Sequence, residues 1–216
     1  AISEFLSVNH PYLLTYRIHI IGNIEMKDRK SDDDNDSQFH SIKCHDFLSC
    51  FYKNGGIECL LNIIFKIDSS SSLLNDGCIN DLLRVTKLML RDACFSENVN
   101  DSIEKVKNSI ESFLGWAKEV AVSNNENLLK DITLFMRELS DYFVDYDDFS
   151  EIVKMTIIHK LPEIRSNSFE IVNSIESISV KEKLIVPLLK DLAKTSKCTE
   201  YFNLMTSVAQ LTKNPV

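Results

Sequence analysis

Breakers are scarce in this chain: five glycines and four prolines in 216 residues. A sandwich or barrel needs many tight turns, so this scarcity favours long helices. No run of about 18 apolar residues occurs, which leaves no candidate membrane span. Residues 1–9 lack the basic-then-apolar layout of a signal peptide. Clustered Lys and Arg are missing too. With 24 basic against 32 acidic side chains the net charge is −8, which disfavours sequence-independent binding to nucleic-acid phosphates. The chain carries no G-x-G-x-x-G, Walker loop, H-E-x-x-H or G-x-S-x-G. Its six cysteines include no C-x-x-C pair. A disulfide framework belongs to smaller, loop-rich secreted chains, so the six are read as reduced core cysteines of a cytosolic or nuclear protein. The first residue is not methionine, which reads as a piece of something longer.

What is present is helical rhythm. Hydrophobic residues make up 44% of the chain and charged ones 26%, a globular composition. Four sites pair a cap residue with glutamate three positions on: Asp101 with Glu104, Ser123 with Glu126, Asp148 with Glu151 and Ser179 with Glu182. In such a box the cap oxygen accepts an orphan N–H of the first turn and the glutamate reaches back. Apolar residues at three-and-four spacing follow each. Leu13, Tyr16, Ile20 and Ile24 predict a helix over 11–26; Cys44, Phe47, Leu48 and Phe51 one over 41–52; and Ile57 to Ile67 a third. Further helices are predicted through Ile79–Cys94, Ile103–Val120, Leu128–Tyr142 and Phe149–Leu161. The last three run 162–177, 180–195 and 199–212. Pro162 suits a first turn, whereas Pro187 should kink or split its helix. The acidic segment 27–38, which has no apolar residue, reads as a flexible loop. The predicted architecture is all-α: an α-solenoid of nine or ten antiparallel helices forming one domain over 1–216.

Two segments resemble known repeats. Asp46–Ile64, DFLSCFYKNGGIECLLNII, resembles the armadillo repeat: a short helix, Gly55-Gly56, then an apolar helix. Leu161–Ile175, LPEIRSNSFEIVNSI, resembles a HEAT-type helix, with Arg165 at the family's recurrent basic position. The "F…GGI..LL" pattern is also similar to helical regions flanking the catalytic domain of giant ubiquitin-specific proteases. That resemblance implies a regulatory or substrate-recruiting role beside a cysteine protease elsewhere in a parent chain, whose cysteine and histidine boxes do not occur here. The armadillo/HEAT resemblance implies a non-catalytic scaffold that presents a surface to a protein or peptide partner.

Candidate chemistry is thin. Asp32, Asp34 and Asp36 hold positions 1, 3 and 5 of an EF-hand-like loop, but Ser37 and Lys43 stand where glycine and glutamate are required. Adjacent Cys44 and His45 point about 100° apart on a helix, too far for a nucleophile–base pair, and the other histidines lack metal-ligand spacing. No catalytic, cofactor or metal residue is assigned. Asp141, Asp145 and Asp148 would share one helical face and could meet a basic partner. Trp116 reads as core. Ile110, Phe113, Leu114, Phe135 and Leu139 should be buried.

Overall fold

The structure, a computed structural model, describes residues 2–7, 9–30, 38–67, 76–91, 96–123, 125–175 and 178–194. Among them the secondary structure is all helical. The elements are α1 (Ile2–Phe5), α2 (Pro11–Lys30), α3 (Gln38–Lys53), α4 (Gly56–Phe65), α5 (Asp76–Leu90), α6 (Ser96–Val106), α7 (Ile110–Ser123), α8 (Glu126–Glu138), α9 (Ser140–Phe143), α10 (Asp147–Ile157), α11 (Pro162–Ser174) and α12 (Ile178–Lys194). The all-α expectation holds. The chain divides into two compact units, 1–116 and 117–216.

Several boundaries differ from the sequence reading, and the capping boxes differ most. Asp101 lies inside α6, Asp148 is the second residue of α10 and Ser179 the second of α12. Ser123 ends α7 and donates its hydroxyl to the Val120 carbonyl. The cap of α8 is Asn125, whose Oδ1 accepts the Leu128 N–H at 3.3 Å. Of the acidic residues in these boxes, Glu126 and Asp148 sit in the first turns of α8 and α10, where the helix dipole favours negative charge whether or not a cap bond forms, whereas Asp101 and Glu104 lie farther along α6.

Two predicted helices are each broken. Ile103–Val120 is interrupted by a 3₁₀ turn at Lys107–Ser109, and Leu128–Tyr142 stops at Leu139 (φ −124°, ψ 19°) before the short α9. The apolar pattern runs on because both pieces bury the same stripe. Residues 27–30 belong to α2 and Gln38 to α3, where a loop is expected; residues 31–37, with Asp32, Asp34 and Asp36, lie outside the described residues. Pro162 opens α11 as expected. Pro187 lies within α12, which runs on through it. The segment 199–212 lies outside the described residues.

In the N-terminal unit, α2 packs on α3 and α5, and α4 on α5 and α6. The buried stripe of α2 is Leu14, Ile18 and Ile21, while Leu13 and Tyr16 face solvent. α2 is apolar on more than one side, and its periodicity alone fitted either stripe. Facing residues of α2 and α5 rise in number together. The Thr15 hydroxyl bonds the Cys78 thiol, His19 Nε2 lies 2.9 Å from Asp81, and a Cβ on Gly22 would stand 2.8 Å from Val85. The two helices are therefore parallel.

The C-terminal unit repeats that arrangement with a shorter period. Lys130 pairs with Glu163, Asn167 donates to the Thr133 hydroxyl at 3.1 Å, and Arg137 pairs with Glu170. Beyond α8, the hydroxyls of Ser140 and Ser174 meet at 2.8 Å. Each partner lies 33 or 34 residues ahead, so α8 and α11 run parallel, with α10 between them in sequence and packed against α11. Phe135, Met136, Phe143, Phe149 and Ile171 fill this core, and Phe65, Phe113 and Leu114 that of the N-terminal unit. All five residues predicted as core are buried.

Candidate binding surface

Positions 47, 50, 51 and 54 recur at three-and-four spacing, which sets Phe47, Cys50, Phe51 and Asn54 along one face at the end of α3. Ile2 and Phe5 of α1 complete a hollow of about 410 Å³ there. Phe47 and Phe51 stack with ring centroids 6.2 Å apart. Phe51 is buried, whereas Phe47 stays 38% exposed. Arg17 of α2 fastens α1 by donating to the Phe5 carbonyl at 2.5 Å and lying 4.9 Å above the Phe5 ring. Asn54 Nδ2 donates to the Cys50 carbonyl at 2.7 Å. Among the described residues the hollow is lined by no charged side chain, so it suits an apolar side chain better than an ionic substrate.

A second hollow, about 380 Å³, lies where α2 begins, among Asn9, His10, Tyr12 and Leu13. Tyr12 is 88% and Tyr16 64% exposed, and neither bears on the buried stripe of its helix. In the sequence, Tyr16 and Phe47 count among the apolar residues whose spacing marks their helices, with no assignment to core or surface. The neighbouring apolar stripes were the signal that could have placed them outside the core.

The glycine pair lies directly after the α3 face. Gly55 takes φ +78° and is the cap residue ahead of α4, a conformation costly for residues with a β-carbon. Gly56 opens α4 against the Phe51 ring. Arg165 of α11 closes a different turn: its guanidinium donates to the carbonyls of His159 (2.6 Å) and Lys160 (2.8 Å), which lie between α10 and α11.

The acidic trio does not share a helix. Asp141 lies in α9, Asp145 in the following turn and Asp148 in the first turn of α10. The chain turns between them because α9 ends at Phe143, whose ring is buried beside Phe149. Asp148 is engaged within the unit by Lys118 at 2.9 Å, and Glu151 binds the same ammonium. Trp116 is buried beside Phe113.

Thiol and metal chemistry find little support among the described residues. Burial, aided by Glu58, raises the Cys59 pKa; burial also raises that of Cys78, which the Thr15 hydrogen bond opposes and Asp81 reinforces. Both are therefore weaker nucleophiles than a free thiol. Cys78 is buried as a core cysteine, but Cys50 is exposed, contrary to the expectation from the sequence, because it falls at the open edge of the α3 face. Cys44 and His45 are neighbours within α3. Among the described residues, no group of three His, Cys, Asp or Glu side chains could hold a metal ion. No described helix is long and apolar enough to cross a membrane. No family model matches this chain, and no curated protein or solved structure does.

Proposed function

We propose that the chain is a non-catalytic scaffold, an α-solenoid of armadillo or HEAT type whose helical surface holds a protein or peptide partner. The parallel register of α8 on α11 carries the reading. Parallel neighbours separated in sequence by a returning helix are what stacked helical repeats produce, and an up-down bundle pairs its neighbours antiparallel. The parallel α2 and α5 support the same reading in the N-terminal unit. Exposed Tyr12, Tyr16 and Phe47 supply large, rigid side chains of the kind that anchor protein interfaces.

Photo-crosslinking from positions 12, 16 and 47 tests the surface. A partner captured at these positions should bind the purified chain in calorimetry and bind Phe47→Asp or Tyr12→Ala at least tenfold more weakly. Undiminished binding by both variants would remove this surface from the proposal. Disulfide trapping tests the stacked register separately: Lys130→Cys with Glu163→Cys should cross-link in the folded chain, and a pair that stays reduced under oxidising conditions would overturn it.

A further inference from the structure

The turn between α10 and α11 is built around an imidazole. α10 ends at Ile157, and the His159 N–H reaches back to the Thr156 carbonyl at 3.1 Å. His159 Nδ1 accepts the N–H of Leu161 at 3.2 Å. A backbone N–H can only donate, so this contact requires a lone pair on Nδ1. Leu161 is the cap residue of α11, and the orientation of that residue directs the helix that follows. Charged groups surround the ring. Arg165 of α11 holds the carbonyls of His159 and Lys160. Lys160 crosses to Glu126 in the first turn of α8 at 2.5 Å. Glu163 of α11 is engaged by Lys130 of α8.

We propose that His159 makes this turn a proton-sensitive hinge: the neutral ring holds Leu161 and the start of α11, and a proton on Nδ1 releases them. Protonation replaces the acceptor with a donor facing another donor, and it sets a cation among Lys160 and Arg165, with Glu126 the opposing carboxylate. The balance favours the neutral ring. Desolvation by burial lowers the His159 pKa below its ordinary 6.5; Glu126 opposes this, and Lys160 and Arg165 add to it. With the folded pKa depressed, the hinge contributes its full stability above pH 6.5 and loses it as pH falls from there toward the folded value. Since α11 is the helix that runs parallel to α8, loosening its start changes the stacking of the C-terminal unit under mild acid. This is a form of regulation that a histidine can supply between pH 5 and 7.

The experiment is an NMR titration of the whole chain from pH 8 to pH 4.5, following the His159 ring and the backbone amides. His159 should titrate below 6.5. The Leu161 amide should shift with the same midpoint and lose about fivefold in protection, the loss of one ordinary hydrogen bond. His159→Asn is the matched variant, because an asparagine side chain can accept the N–H two residues on and does not titrate in this range. In it the Leu161 amide should stay fixed down to pH 5. A Leu161 amide that ignores the His159 midpoint, or that moves identically in His159→Asn, would overturn the hinge.

Discussion

A β-carbon built on Gly56 would lie 2.2 Å from the ring of Phe51. The ring occupies the space the glycine vacates, which couples the end of α3 to the start of α4. Gly55, one residue earlier, supplies the left-handed turn between them. Each glycine is thus required for a different reason, one by space and one by φ.

Gly55→Ala should cost about 1–2 kcal/mol, the penalty of a β-carbon in left-handed backbone. Gly56→Ala should cost about 1–3 kcal/mol as overpacking displaces Phe51. Chemical denaturation measures both. If the pair were a tolerant surface loop, alanine would be neutral or slightly stabilising, and an unchanged midpoint in both variants would show it.

The hydroxyls of Thr156 and Ser168 share a buried hydrogen bond of 2.7 Å between α10 and α11. Each also lies 2.8 Å from the carbonyl four residues before it. Thr156→Val alone should destabilise by about 1 kcal/mol, because Ser168 loses a partner while buried. Adding Ser168→Ala should cost less than the sum of the two single changes. A double-mutant cycle reads this coupling directly, and strict additivity would count against it.

Lys118 binds Asp148 and Glu151 with its side chain about a third exposed, and the two carboxylates raise its pKa. Lys118→Glu should lower the melting temperature by setting a third negative charge beside them. The deficit should shrink in high salt, since screening acts on exposed charges. A deficit unaffected by 1 M salt would point to lost packing of the lysine stem instead.

Thiol labelling separates Cys50, Cys59 and Cys78 from one another. Iodoacetamide at pH 8 should modify exposed Cys50 first and Cys59 more slowly, leaving Cys78 protected until the unit unfolds. Mass spectrometry of the digest gives the order. Early modification of Cys78 would mean that the packing of α2 on α5 opens readily.

Helix type was legible in the sequence because the apolar stripes of α5, α8 and α10 are strong and breakers are few. Helix ends were less so. Four plausible caps lay off the observed starts, and at α8 Asn125, two residues past Ser123, makes the bond. Stripe choice was open on α2, where Leu13 and Tyr16 compete with Leu14 and Ile18 and only the packing of α5 decides. The parallel pairing of α8 with α11 was hidden because it depends on polar partners such as Thr133 and Asn167, which periodicity of apolar residues does not report. The acidic trio seemed to share one face only because the break after Phe143 carries no glycine or proline to mark it.

The spacing of the parallel pairs also bears on how quickly each unit can assemble. Docking α8 on α11 closes a stretch of 33 or 34 residues, as Lys130 with Glu163 and Thr133 with Asn167 show. Docking α2 on α5 closes one of 62 or 63, as His19 with Asp81 and Gly22 with Val85 show. Nearly doubling the loop adds about 0.6 kcal/mol of closure entropy. That difference slows the search for the α2–α5 pairing roughly threefold, so the C-terminal pairing has the kinetic lead when the chain collapses from the denatured state.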